Sequence, residues 1–145
     1  MPARKIPGAA VRRTPRSVMT NKKMSLEGRR ILIVEDDYLQ ATMLRRRIER
    51  AGGTVVGPAW SRAAGLLLVD GEPFDGAVLD AELADGSAEP IATLLATRGV
   101  PFVVVAANDR EYLPPALREA RYMGKPVDHG DLLAMVADSL RERAR

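Results

Sequence analysis

Carboxylates follow two short apolar runs of this sequence, and a lysine follows a third. Glu35 and Asp36 come directly after the first run, Asp80 ends the second, and Lys125 follows the third. If these side chains met, the carboxylates would repel one another unless a cation were bound or some stayed protonated. Oxygen ligands without His or Cys suit Mg²⁺, which completes its shell with water and substrate phosphate. The set therefore predicts a site at which Asp80 accepts a phosphoryl group and Lys125 pairs with its oxygens.

The pattern around these residues predicts the elements that bring them together. Short apolar, β-branched runs alternate with segments whose apolar residues recur at helical spacing, five times over. The predicted strands are 31–34, 54–57, 74–79, 101–106 and 121–124, and the predicted helices are 39–51, 62–69, 89–98, a weak 112–120, and 131–143. This alternation predicts an α/β fold, a doubly wound five-stranded parallel sheet in the order 2-1-3-4-5. The ligand crevice of such a sheet lies at the carboxyl ends of strands 1 and 3, where Glu35, Asp36 and Asp80 stand.

The acidic run after the first strand also has a simpler interpretation. Glu35, Asp36 and Asp37 precede a predicted helix, and acids at a helix start cap its free amides and favour its dipole. That interpretation accounts for one or two of the three acids. It accounts for neither Asp80 nor Lys125, so we favour the site.

Several motifs of the sequence resemble the receiver domain of two-component signalling proteins. They are Ile31-Leu32-Ile33-Val34-Glu35-Asp36-Asp37, then Val78-Leu79-Asp80 followed by Leu83 and Asp85-Gly86, and Lys125-Pro126. The resemblance covers residues 30–142 and implies a receiver domain over 28–145, folded as a flavodoxin-like three-layer sandwich.

The same resemblance implies roles for single residues. Asp80 would accept the phosphoryl group, and Lys125 would pair with it, through a Lys125-Pro126 bond that is usually cis in the family. The implied Mg²⁺ ligands are Glu35, Asp36, Asp80 and the backbone carbonyl of Glu82. Tyr122 matches the family's aromatic switch position, whose side chain moves between outward and inward rotamers.

The sequence departs from the family pattern at the end of strand 4. Ala106 stands where the family has Thr or Ser, whose hydroxyl bonds a phosphoryl oxygen, and a methyl group donates no hydrogen bond. Losing one bond to a charged group costs about 1.5–3 kcal/mol, so we expect Ala106 to weaken the coupling between Asp80 and Tyr122. Ala84 is a smaller departure, since the family often has Pro there. Val56-Gly57-Pro58-Ala59 and Pro101-Phe102 resemble the alphaproteobacterial FAT-GUY subgroup, which works with kinases of the HWE or a related type.

Three function hypotheses follow from these residues. The leading one is a single-domain response regulator that a sensor histidine kinase phosphorylates and that signals through a downstream protein partner. The second, favoured by Ala106, is a degenerate receiver that binds partners without phosphorylation. The third is a Mg²⁺-dependent phosphohydrolase, which usually needs a cap and a second Asp where Glu82 stands. We expect no enzyme activity beyond slow self-phosphorylation from small donors and autodephosphorylation, and a monomer or weak homodimer.

Composition excludes other kinds of site. The chain has no cysteine and a single histidine, His129, which excludes disulfides, thiolate sites and His-rich zinc sites. No apolar run approaches the ~20 residues of a membrane span. We therefore expect a cytoplasmic protein without membrane contact.

Residues 1–27 are predicted to be a disordered basic leader. Residues 1–30 hold nine of the 22 Lys and Arg residues and one of the 19 acids, so the remaining chain is acidic on balance. The basic pI therefore gives no argument that the folded domain binds nucleic acid directly, and we expect no such contact. Translation starting at Met19 or Met24 would shorten this leader.

Overall fold

The apolar, β-branched runs form one five-stranded sheet in the computed structural model, which describes residues 25–144. The strands are β1 (Arg30–Val34), β2 (Thr54–Ala59), β3 (Gly76–Asp80), β4 (Phe102–Ala106) and β5 (Arg121–Gly124). They pair in the order β2-β1-β3-β4-β5, and every pair is parallel. The predicted α/β class and the strand order 2-1-3-4-5 are confirmed.

Five α-helices within the described residues cover both faces of this sheet. They are α1 (Tyr38–Arg50), α2 (Arg62–Gly71), α3 (Glu89–Thr97), α4 (Pro115–Arg118) and α5 (His129–Ala144). Because successive side chains of a strand point to opposite faces, β1 contributes to two separate cores. Leu32 and Val34 pack with α2, α3 and α4, whereas Ile31 and Ile33 pack with α1 and α5. The result is the doubly wound, three-layer arrangement that the alternating pattern predicts.

The connection between β4 and β5 differs most from its predicted form. In place of a helix over 112–120, the structure has a 3₁₀ turn at Arg110–Tyr112 and the single turn α4. Pro114 and Pro115 explain the break, because proline lacks the N–H that an interior helical position needs but fits the first turn of a new helix.

The edge strand β2 is longer than the sequence predicts. The prediction ended it at Gly57, before Pro58, but the strand continues to Ala59, with a register shift between Leu32 and Val34 of β1. Proline is tolerated here because β2 lies at the edge of the sheet, where a missing N–H breaks fewer ladder bonds.

Within the described residues, Leu26 packs in the core although it lies two residues before the predicted domain boundary at residue 28. Leu26 is fully buried in the same core as Ile31 and Ile48, and its amide donates a 2.9 Å hydrogen bond to the carbonyl of Ala51. Leu26 therefore belongs to the folded domain rather than to the leader, whose residues 1–24 lie outside the described part of the chain. Between residues 25 and 144, no helix is both long and apolar enough to cross a bilayer.

Candidate metal centre

The carboxyl edge of the sheet brings together acidic side chains from two neighbouring strands. Glu35 and Asp36 follow β1 and Asp80 ends β3, and one carboxylate oxygen of each lies within 4.8 Å of the others. We call these three residues the acidic cluster. Lys125 follows β5, and its Nζ donates a 3.1 Å hydrogen bond to Asp80 Oδ2. The fold therefore gathers at one edge the four charged residues that the sequence singled out.

Burial differs between the members of the acidic cluster. Asp80 is 4% exposed and Glu35 is 9% exposed, whereas Asp36 is exposed. Backbone amides hold the two buried carboxylates: Asp37 N donates to Glu35 Oε2 at 3.0 Å, and Glu82 N donates to Asp80 Oδ1 at 3.3 Å. The buried pair is therefore fixed in place, while Asp36 contacts solvent.

One of the three acids after β1 also acts as a helix cap. Asp37 Oδ1 accepts a 3.0 Å hydrogen bond from the amide of Gln40 and caps α1. The capping interpretation is thus correct for Asp37. It does not extend to Glu35, whose carboxylate lies against Asp80 instead.

The negative charge of the acidic cluster exceeds the positive charge beside it. The pKa of Glu35 is raised to about 7, chiefly by burial and also by the neighbouring Asp80, although the Asp37 amide and Lys125 lower it. Burial alone would lower the pKa of Lys125, but the attraction of Asp80 outweighs it, and the pKa of Lys125 is raised. One ammonium therefore does not balance three carboxylates, and Glu35 keeps a proton on the acidic side of neutrality.

The side chains of the cluster fit a hard divalent cation. All three offer carboxylate oxygens, the ligand type that Mg²⁺ prefers, and a cation among them would let Glu35 ionise. Glu82 begins a two-residue strand just after Asp80, with its side chain exposed. The part assigned to its backbone carbonyl as a fourth ligand stays a prediction.

Mg²⁺ binding at the acidic cluster is expected to weaken as the pH falls below 7. The pKa of Glu35 is raised from 4.5 to about 7, so below pH 7 a cation must displace a proton from this carboxyl. The apparent Mg²⁺ affinity, measured by calorimetry, should fall by up to about tenfold for each pH unit between 7 and 5.5.

Glu35→Gln supplies the control for this pH dependence, because the amide keeps the shape of the side chain and does not titrate. Its Mg²⁺ affinity should be lower than that of the wild type at pH 8 and nearly constant down to pH 5.5. Without a cation, the same shift makes the free energy of unfolding of the wild type fall as the pH rises from 4.5 to 7, since the fold disfavours ionised Glu35. Equal pH dependence of Mg²⁺ affinity in both proteins would contradict this account.

A cavity of about 360 Å³ opens beside the acidic cluster, between α1 and the start of α5. Its polar wall carries Glu35, Asp80 and Lys125, and its apolar wall includes Met43. His129 lines the same cavity and is half-buried. Asp80 is therefore on the wall of a cavity large enough to admit a small molecule.

Comparisons with known proteins agree with this fold. The Phyllosphere-induced regulator PhyR of Methylorubrum extorquens is 30% identical over 114 residues, which cover 76% of this chain and 43% of that protein. The chain thus spans less than half the length of this curated relative. SdrG from Sphingomonas melonis, a solved structure, is 32% identical, with a TM-score of 0.66 over 78% of this chain and 96% of that one. The receiver domain of the Francisella response regulator 1452 has the same fold, with a TM-score of 0.68 and 20% identity over 81% of this chain and 100% of that one. The chain belongs to the response-regulator receiver family. No family model matches it.

The predicted switch pair of this receiver lies on neighbouring strands. Ala106 ends β4 with its methyl buried, and its carbonyl accepts a 2.9 Å hydrogen bond from the amide of Lys125. Tyr122 lies on β5, and its hydroxyl donates a 2.6 Å hydrogen bond to the carbonyl of Asn108. The guanidinium of Arg110 lies 5.2 Å from the centroid of the same ring. Tyr122 is therefore held by contacts with Asn108 and Arg110, in the segment after β4. Position 106 contributes no hydroxyl to these contacts.

Other family features of this receiver can also be located. The Lys125-Pro126 bond is cis. Ala84 is exposed in a small hairpin formed by the two-residue strands Glu82–Leu83 and Gly86–Ser87, which the sequence did not predict. Membership of the FAT-GUY subgroup stays a prediction.

Two contacts beside the site were missed by sequence analysis. Asp85 accepts hydrogen bonds from the first two backbone amides of α2, at 2.7 and 3.1 Å. Trp60 stacks on Tyr38, with ring centroids 5.7 Å apart and an interplanar angle of 24°. Both contacts join residues more than 20 positions apart, so no local pattern signals them.

Proposed function

We propose that this receiver accepts a phosphoryl group on Asp80 in a Mg²⁺-dependent transfer from a histidine kinase. The observation that carries the proposal is the set of contacts of Asp80. It is a buried carboxylate that forms an ion pair with Lys125, and one of its oxygens lies within 4.8 Å of an oxygen of Glu35 and of Asp36. A carboxylate can serve as a nucleophile toward an anionic phosphoryl group where positive charge and hydrogen-bond donors balance the charge of both.

Each residue of the site has a different role in the proposed transfer. A carboxylate oxygen of Asp80 forms the new bond to phosphorus as the bond from phosphorus to the donor imidazole nitrogen breaks, and that nitrogen keeps the electron pair. Lys125, held 3.1 Å from Asp80 Oδ2, is placed to donate to a phosphoryl oxygen. Glu35 and Asp36 would hold Mg²⁺ together with Asp80, and the ion would supply positive charge to balance the phosphoryl oxygens.

The exposed face of α1 supports a protein as the phosphoryl donor. Leu39 is 61% exposed and Met43 is 41% exposed, and Arg46 and Arg50 continue the same stripe at helical spacing. The stripe begins one turn from the acidic cluster, so a kinase that covers it would bring its phosphohistidine to Asp80. We propose that signalling then passes through protein contacts, and not through direct nucleic-acid binding, because residues 31–145 are acidic on balance.

The test is phosphoryl uptake from a small donor such as acetyl phosphate, followed by intact mass with and without Mg²⁺. We expect the mass of one phosphoryl group in the presence of Mg²⁺ and no gain after chelation. Absence of uptake by a folded protein that binds Mg²⁺ would overturn the proposal.

A degenerate receiver is the second candidate, and two observations favour it. Ala106 offers no hydroxyl to a phosphoryl group, and the Tyr122 hydroxyl is already bonded to the carbonyl of Asn108. In such a protein the surface around Tyr122 would bind its partner in the same way with and without phosphorylation.

Ala106→Thr is expected to speed phosphoryl uptake about tenfold or more. Its hydroxyl would add one hydrogen bond to a charged group, worth about 1.5–3 kcal/mol, and about 1.4 kcal/mol is a factor of ten. The rate of mass gain measures the effect. Ala106→Val is the matched control, because valine has the shape of threonine without the hydroxyl and strains the buried position similarly. Equal rates in the two variants would show that the hydroxyl has no part in the transfer.

A further inference from the structure

The corner between β2 and α2, residues 59–63, contacts the loop that carries Glu35. The carbonyl of Ala59 accepts a 3.0 Å hydrogen bond from the backbone amide of Glu35. Trp60 stacks on Tyr38, two residues after Asp36. The corner itself has no acidic side chain. It therefore offers no carboxylate ligand to a cation and contacts the site through the loop that carries Glu35.

The same corner contacts the hairpin that follows Asp80. Both carboxylate oxygens of Asp85 accept hydrogen bonds from the corner, one from Arg62 N at 2.7 Å and one from Ala63 N at 3.1 Å. The guanidinium of Arg62 donates to the carbonyl of Ser87 at 3.4 Å. Gly86 makes room for it, since a Cβ there would lie 2.7 Å from Arg62 Nη1.

The hairpin is in turn joined to the phosphoacceptor residue. The amide of Glu82 donates to Asp80 Oδ1, and the amide of Ala88 donates to the carbonyl of Ala81 at 2.9 Å. Asp85 lies beyond Glu82, between the two short strands. The direction of the Glu82 backbone therefore depends on how Asp85 is held.

We propose that Asp85, through the 59–63 corner, is a positioning residue that sets the Mg²⁺ affinity of the acidic cluster. The proposal rests on the function proposed above. The corner fixes the distance between two loops, one with Glu35 and Asp36 and the other with Asp80 and Glu82. Without the corner, the bound cation itself would have to order these two loops. Ordering a free loop upon binding has an entropic cost that lowers affinity.

The state of Asp85 agrees with this role. The amides of Arg62 and Ala63 lower its pKa. Its carboxylate is therefore ionised, and accepts hydrogen bonds, at the pH at which Mg²⁺ binding is measured. Its side chain is exposed, so its removal should loosen the hairpin without opening the core.

The test is calorimetric titration of the full chain with MgCl₂ at pH 8. Asp85→Ala should bind Mg²⁺ about tenfold more weakly than the wild type, the lower end of the effect of residues that support metal ligands. Asp85→Asn should lie between them, because its one amide oxygen still accepts a hydrogen bond from the corner. Asp70→Ala is the matched control at the other end of α2, where Asp70 pairs with Arg98, and should bind as the wild type does.

Trp60 provides a second readout, because it is the single tryptophan of the chain. Its fluorescence should change as Mg²⁺ saturates the wild type, and the midpoint should shift about tenfold in Asp85→Ala. An unchanged midpoint in folded Asp85→Ala would overturn the positioning role and leave the proposed function standing. Absence of Mg²⁺ binding by the wild type would overturn both.

Discussion

Asp80→Asn is expected to take up no phosphoryl group at any Mg²⁺ concentration. The amide oxygen of Asn is neutral and a poor nucleophile, so no bond to phosphorus forms although the side chain keeps its shape. The fold should survive, because losing one buried carboxylate relieves repulsion on Glu35 even as the ion pair with Lys125 is lost. The measurement is intact mass after incubation with acetyl phosphate, beside circular dichroism of the same sample.

Asp70→Asn is the matched control for this experiment. It makes the same chemical change on α2, where Asp70 forms an exposed ion pair with Arg98 outside the site. Uptake by this variant should equal that of the wild type. A full phosphoryl gain in Asp80→Asn would assign the phosphorylated residue elsewhere and refute the role of Asp80.

Lys125→Met is expected to move two properties of the site in opposite directions. Phosphoryl uptake should slow by about 10²–10³-fold, the usual effect of removing one donor that stabilises charge on a transferring group. Mg²⁺ should bind about fivefold more tightly or better, because the ammonium 3.1 Å from Asp80 Oδ2 no longer repels the cation; two unit charges about 4 Å apart in water interact by about 1 kcal/mol, which is about a factor of five. Uptake rates from intact mass and Mg²⁺ affinity from calorimetry measure the two effects.

Lys125→Arg separates charge from geometry at the same position. It should keep the Mg²⁺ affinity of the wild type, because the positive charge remains. Its uptake should be slower, because a planar guanidinium does not replace a compact ammonium. Weaker Mg²⁺ binding in Lys125→Met than in the wild type would contradict the repulsion on which this prediction rests.

The sheet and the acidic cluster could be predicted because their signals are local. Apolar runs such as Ile31–Val34 mark buried parallel strands, and the rule that ligands bind at their carboxyl ends places Glu35, Asp36 and Asp80 together. Lys125 followed from the same rule at the end of β5. The strand order is then narrowed by the handedness of the crossovers.

The parts that could not be predicted depend on contacts between distant segments. Asp85 lies in a sequence that is typical of a turn. It can accept hydrogen bonds from the first amides of α2 only after β2 and β3 have joined the same sheet. Leu26 follows a basic stretch without strand or helix periodicity, so nothing in the sequence signals its burial against α1. Tyr122 matched a switch position, but its bond to the carbonyl of Asn108 depends on the path of the chain between β4 and β5, where a 3₁₀ turn and α4 replace the predicted helix.

Asp80 and Lys125 are 45 positions apart in the chain, and Glu35 comes from yet another strand. No fragment that lacks β1, β3 or β5 can bring these three residues together. If Asp80 accepts a phosphoryl group as proposed, its uptake would measure the population in which the whole sheet is formed, as distinct from local order. In a denaturant series, uptake should be lost together with the cooperative unfolding transition, which makes the chemistry of Asp80 a probe of global folding.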